Sequence, residues 1–142
     1  MQANEGYWAE QTEIQRRGAA AWLALAENRP DEALTMMRAA AEMEDGTEKS
    51  AVTPGPIVPA RELLGEMLME LDRPAEALKE FQATLKREPE RFRALYGTAR
   101  AASLSGDSAG ARAYYTQLAS LCERGDSPGR PELEEARKAM RP

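Results

Sequence analysis

An all-α fold, built as a solenoid of three helix pairs and closed by a C-terminal capping helix, is what this sequence predicts. Three observations predict it. The first is near-repetition: Asn28-Arg29-Pro30-Asp31-Glu32-Ala33-Leu34 returns as Asp72-Arg73-Pro74-Ala75-Glu76-Ala77-Leu78, and more distantly as Gly106-Asp107-Ser108-Ala109-Gly110-Ala111-Arg112. The second is a constant spacing. Ala77 and Ala111 lie 34 positions apart, as do Phe81 and Tyr115, and Gly65 and Ala99. The third is the helical patterning that accompanies this period, in a chain of 142 residues whose 42% hydrophobic content suits one compact domain with a real core.

The elements follow in order, with boundaries good to about ±3 residues. A long first helix is expected from Glu5 to Glu27 and a second from Asp31 to Met43. Between Ala33 and Ala77 the offset is 44, which is the 34-residue period plus an insertion of ten. The extra residues fall in Glu44–Pro56, where two prolines, two glycines and mixed charge read as a loop. Helices are then expected at Pro59–Leu71, Pro74–Arg87, Glu90–Leu104 and Ser108–Glu123. The repeated NRP, DRP and GDS segments stop one helix and start the next, with Pro30 and Pro74 at favoured first-turn positions after Asn28 or Asp72. Asp126-Ser127-Pro128-Gly129 reads as a turn. Pro131–Met140 reads as a terminal helix, with Glu132, Glu134 and Glu135 in its first turn, where carboxylates suit the helix dipole. Its charged outer face is what the end of a solenoid needs. The whole is one domain, 1–142: repeats at 5–43, 58–89 and 90–125, an inserted loop at 44–57, and a cap at 130–140.

The period and its fixed positions resemble the tetratricopeptide repeat. The middle copy carries that pattern best, with Leu64-Gly65, Ala77, Phe81 and Pro89 in place. Arg61 stands where the family usually has tryptophan, and Leu68 where it has tyrosine. The third copy reads Leu95, Thr98-Ala99, Ala102, Ala111 and Tyr115, with Glu123 replacing the proline; the first reads Arg17, Ala20-Ala21, Ala24, Ala33 and Met37 and is the weakest. The small residues mark places where paired helices cross closely, and Met37, Phe81 and Tyr115 are the sizes that fill the gap between successive repeats. The resemblance implies a right-handed α-solenoid that binds a peptide or protein segment. Tyr7-Trp8-Ala9-Glu10-Gln11, Thr53-Pro54-Gly55-Pro56, Pro59-Ala60-Arg61-Glu62-Leu63-Leu64-Gly65 and Arg93-Ala94-Leu95-Tyr96-Gly97 also resemble the C-terminal repeat region of larger bacterial proteins of this family. That resemblance implies an excised C-terminal domain.

Composition excludes several function classes. A net charge of −5, from 24 acidic and 19 basic residues, argues against nucleic acid and against an anionic membrane surface. No histidine is present, which removes the commonest general base and metal ligand. The single cysteine, Cys122, allows no internal disulfide and is expected to pack between helices. Glu44-Asp45-Gly46-Thr47-Glu48 lacks the alternating ligands of a calcium loop, and there is no phosphate-binding or dinucleotide fingerprint. Neither enzymatic activity nor a cofactor or metal is expected. The first residues lack a basic start and an apolar run, so no signal peptide is expected, and the cytosol is the compartment this favours.

In the repeat family the inner face of the first helix of each pair lines a groove. Carried onto this sequence, that face offers Gln15 and Trp22; then Glu62, Glu66, Met69 and Glu70; then Arg93, Tyr96, Arg100 and Ser103. The glutamates are four apart and stack on one helical face, and Arg93 and Arg100 share another. One reading is a bipolar groove, acidic on one wall and basic on the other, with Tyr96 and Trp22 as apolar anchors for a peptide. The other is that the two rows face each other and neutralise. The lysine–asparagine clamp with which some family members hold heat-shock chaperone carboxylates has no counterpart, because Gly18 and Trp22 stand in those places. A separate reading concerns Tyr7, Trp8 and Ile14 on the apolar first helix: they pack on the second helix, or they form a self-association surface for upstream repeats or a homodimer. The insertion either folds over the groove or contacts a partner, or it is a tolerated surface loop of small closure cost.

Overall fold

A computed structural model describes residues 2–47, 56–125 and 129–141. Among the described residues the secondary structure is seven helices and no strand: α1 (Gln2–Ala26), α2 (Pro30–Gly46), α3 (Ala60–Glu70), α4 (Pro74–Arg87), α5 (Phe92–Leu104), α6 (Ser108–Leu121) and α7 (Pro131–Ala139). The chain forms two compact units, Met1–Met67 and Leu68–Pro142, and the division falls inside α3. The expected turn at Asp126-Ser127-Pro128 and the centre of the insertion lie outside the described residues.

The helix turns reuse one device, and that is why the sequence repeats there. Asn28 and Asp72 take the left-handed conformation at φ 60 and φ 55, and Gly106 does so at φ 85. In each case two backbone bonds close the preceding helix: Asn28 N–H to the Leu25 carbonyl and Arg29 N–H to Ala24; Asp72 to Met69 and Arg73 to Leu68; Gly106 to Ser103 and Asp107 to Ala102. This double bond, the Schellman motif, satisfies carbonyls that the helix end leaves orphaned. Asn28 and Asp72 thus perform the stop and not the start. The N-cap places fall to Arg29 and Arg73, which make no side-chain cap bond, while Pro30 and Pro74 begin α2 and α4 as expected. Arg29 is instead held by Glu27 and Glu32, and Arg73 by Glu76 at 2.6 Å. At the third turn Asp107 is a true N-cap, its Oδ1 accepting from Gly110 N–H at 2.8 Å.

In the first unit, α1 and α2 pair through small residues. Ile14, Gly18, Ala21 and Ala24 recur at spacings of four and three along α1 and are buried, as are Ala33, Leu34, Met37, Ala40 and Ala41 on α2. Small side chains let the two backbones approach, and Met37 fills the space that remains. Burial of Ile14, at 1% exposure, corrects its assignment to a self-association face: it belongs to the core. Tyr7 is half-buried and Trp8 is 49% exposed, so only these two remain for that reading.

The expected loop also starts later than its composition indicates, because α2 runs on through Glu44, Asp45 and Gly46. The extra turn is anchored. Glu44 Oε2 accepts from the Ala60 N–H at 2.7 Å, which satisfies the first orphan donor of α3. Asp45 Oδ2 takes two bonds from Arg61, at 2.8 and 2.5 Å. Arg61, the residue that departs from the repeat pattern, therefore has a carboxylate partner supplied by the first residues of the insertion.

In the second unit, α4, α5 and α6 pack in sequence. Phe81 is 2% exposed and lies against the backbone at Gly97, where an added Cβ would sit 2.6 Å from its ring carbons. A further cluster of Leu95, Ala99, Tyr115, Leu118 and Ala136 joins α5, α6 and α7. The capping helix α7 contributes only Leu133 and Ala136 as fully buried residues.

Candidate functional site

The candidate residues divide by accessibility. Gln15 is exposed and Trp22 half-buried on α1, seven positions apart beside the buried face. On α3, Glu66 and Met69 are half-buried and Glu70 is exposed, but Glu62 is 0% exposed. An open acidic wall therefore cannot include Glu62, whose position on the same stripe as Glu66 and Glu70 falls where the helix turns into the protein. On α5 the residues Arg93, Arg100 and Ser103 are exposed and Tyr96 is half-buried. They line one side of a helix whose other side, from Ala94 and Leu95 to Ala101 and Ala102, is buried.

That α5 stripe is not bare. The terminal helix lies beside it, and one carboxylate, Glu135, gathers three side chains. Tyr96 donates its hydroxyl to Glu135 Oε2 at 2.6 Å, Tyr115 donates to Oε1 at 3.1 Å, and Arg100 Nε stands 3.8 Å from Oε1. Arg100 also lies over the Tyr96 ring, 5.7 Å from its centre. Burial, reinforced by the neighbouring carboxylate, pushes the Tyr96 hydroxyl up to about 12 and the Tyr115 hydroxyl well above its ordinary range. A phenol is already a donor at neutral pH, and the shift extends that state further into alkali. The far end of α7 is tied by Arg112, which donates to the Met140 carbonyl at 2.9 Å, and its near end by Arg130 over the Phe92 ring at 4.9 Å.

Sequence reasoning placed Tyr96 and Arg100 on this surface but missed Glu135 and Tyr115 as members. Tyr115 read as a space-filler between repeats, which it also is at 4% exposure. The missed signal was that the filler here is tyrosine, where the equivalent place holds phenylalanine at Phe81, and a buried tyrosine hydroxyl calls for an acceptor. Among the described residues no group of acidic or cysteine side chains could hold a metal ion. No described helix is long and apolar enough to cross a membrane.

Comparison with known proteins places this geometry. No curated protein matches the chain. Among solved structures, PcrH from Pseudomonas aeruginosa superposes with a TM-score of 0.67 over 89% of this chain and 88% of its own, at 14% identity. At that identity the likeness shows the fold, an all-α solenoid of helix pairs. The family described as tetratricopeptide repeat matches residues 62–131, the segment that carries the best-preserved motif copies. Residues 62–131 of the chain thus belong to the tetratricopeptide repeat family.

Proposed function

We propose that this protein is an interaction scaffold that binds a peptide or protein segment along α5, the first helix of its third repeat. Protein interaction is the common use of the tetratricopeptide fold. The observation that carries the reading here is the α5 stripe: two exposed arginines, Arg93 and Arg100, seven positions apart, with Tyr96 between them and Ser103 beyond. Arginine and tyrosine are the residue types that dominate binding energy at protein interfaces, and the spacing fits a ligand lying along the helix. No chemistry is assigned to the site; its titratable groups are donors and counter-charges. The repeat divisions at 5–43, 58–89 and 90–125 are part of this proposal. A peptide library panned on the protein tests it. Selected peptides should lose about tenfold or more in affinity against Arg93→Glu/Arg100→Glu, a change of about 1.4 kcal/mol or more. Selected peptides that bind this variant unchanged would refute the stripe as the binding surface.

One observation favours a second reading, self-association through the N-terminal helix. Trp8 is half exposed and stacks edge-on against Tyr7 at 5.2 Å, an aromatic pair near the start of a 25-residue helix. Light scattering over a range of concentrations should then show a dimer that deletion of residues 1–12 abolishes. A monomer unchanged by that deletion removes this reading.

A further inference from the structure

The terminal helix tells what chemistry the α5 face accepts. It is nine residues long, too short to be stable by itself in water. Two of its residues, Leu133 and Ala136, are fully buried, and Met140 packs partly against the same cluster. Its polar anchor is Glu135, held by Tyr96, Tyr115 and Arg100. Those three come from two different helices and converge on one carboxylate, two of them as hydroxyl donors. In this structure the carboxylate they hold belongs to the chain itself.

We propose that Tyr96, Tyr115 and Arg100 form a carboxylate-binding site, occupied by Glu135 of the chain's own terminal helix, and that an acidic amphipathic helix of a partner protein binds there by displacing α7. The proposal deepens the scaffold reading and rests on it, since it names the kind of segment that the α5 face takes. Two features argue for exchange over permanent closure. Arg100 and Glu135 remain about half exposed, at 47% and 48% of their side chains, so water and a competing carboxylate can reach the pair. The ligand pattern is also simple. A small apolar residue follows the glutamate by one position and a leucine precedes it by two, as in Leu133-Glu134-Glu135-Ala136. Many acidic helices carry such a pattern. Internal occupation lowers the apparent affinity for an external helix by the fraction of time that the site is closed, which makes α7 a threshold.

The chain's own helix is the probe. A fluorescent peptide of residues 129–141 is titrated into the protein of residues 1–142 and into its Leu133→Ala/Glu135→Gln variant, in which the internal competitor is weakened. Amide exchange at Leu95 and Leu118 reports that each host stays folded, and exchange within 134–139 reports release of α7. The peptide should bind the weakened host about tenfold or more tighter than the unmodified protein. Adding Tyr96→Phe and Arg100→Ala to that host, or Glu135→Gln to the peptide, should each reverse that gain. A peptide that binds all hosts alike, or that fails to bind a folded host whose α7 amides exchange freely, would overturn the proposal. So would α7 amides that stay as protected as the core in the weakened host. If library-selected peptides still depend on Arg93 while any of these negative results holds, the scaffold reading stands and only the exchange at Glu135 falls.

Discussion

Replacing Gly97 by alanine tests how tightly the second unit is packed. Taken alone, the change favours the helix: alanine is better than glycine in a helix interior by about 1 kcal/mol. The structure predicts the opposite sign. The new methyl would meet three Phe81 ring carbons at 2.6, 2.6 and 2.8 Å. Contacts between carbon atoms are optimal at about 3.5–4.0 Å, so the ring or the helix must give way by roughly 1 Å. Phe81 has no open space to retreat into, at 2% exposure between α4 and α5. Overpacking of this kind costs about 1–3 kcal/mol, which leaves a net destabilisation of up to about 2 kcal/mol after the helix gain is subtracted. Urea unfolding followed by circular dichroism measures it. The companion variant is Phe81→Leu, which vacates ring volume. In that background Gly97→Ala should lose most of its cost, giving a coupling of about 1 kcal/mol or more in a double-mutant cycle. If Gly97→Ala stabilises the protein, or costs the same with leucine at 81, the contact does not constrain the packing and the argument fails.

Three other perturbations follow from the geometry. Asp72→Gly should stabilise the protein by about 0.5–1 kcal/mol, because φ 55 strains a side chain and glycine does not resist it; Gly106→Ala, the reverse change at φ 85, should cost about 1 kcal/mol, both read from urea midpoints. Glu44→Ala should cost about 0.5–2 kcal/mol and speed exchange of the Ala60 amide, which has Glu44 Oε2 as its acceptor. Alkaline titration should separate the tyrosines. A folded-state pKa raised above the unfolded value gives stability that is present below about pH 10 and lost as pH climbs toward the folded value, about 12 for Tyr96. Absorbance near 295 nm (the phenolate band) should therefore show Tyr96 and Tyr115 ionising late, and Glu135→Gln should bring Tyr96 earlier. A Tyr96 that ionises near the ordinary tyrosine value, about 10, would contradict its burial and its bond to Glu135.

Most of the helices were legible because the same local devices recur at a fixed period. Proline at the first helical position and a left-handed residue three places before Asp31 or Ala75 are visible as letters, and the structure places α2 and α4 where those letters put them. Which end of the turn Asn28 and Asp72 serve was less visible, since both residue types favour N-caps as well as left-handed C-terminal positions. The insertion was misread at its start for a physical reason. Glu44 and Asp45 look like loop residues by composition, and their helical state is tied to partners sixteen positions away, Ala60 and Arg61. Glu62 shows the same limit. Spacing of four puts Glu62, Glu66 and Glu70 on one stripe, but a stripe on a curved, packed helix can enter the core at one end, and periodicity alone cannot tell which end does so.

The cap and the candidate site meet because of how a repeat solenoid ends. Each helix pair buries one face against the next pair, so the last pair is left with an apolar face that must be covered. Here the cover is α7, on Leu95, Ala99, Tyr115 and Leu118. A full further repeat would bury a second helix and fix the first. A lone nine-residue helix has less to hold it, so its orientation rests heavily on polar contacts at its exposed edge. Two of those contacts, Tyr96 and Arg100, fall on α5, the helix whose exposed stripe is the binding surface proposed for the third repeat. Tyr96 and Arg100 therefore serve two neighbours from one position: they orient the cap through Glu135, and they belong to the face a ligand would use. Any segment that binds them with a carboxylate competes with α7, so the strength of the cap sets the threshold for the partner.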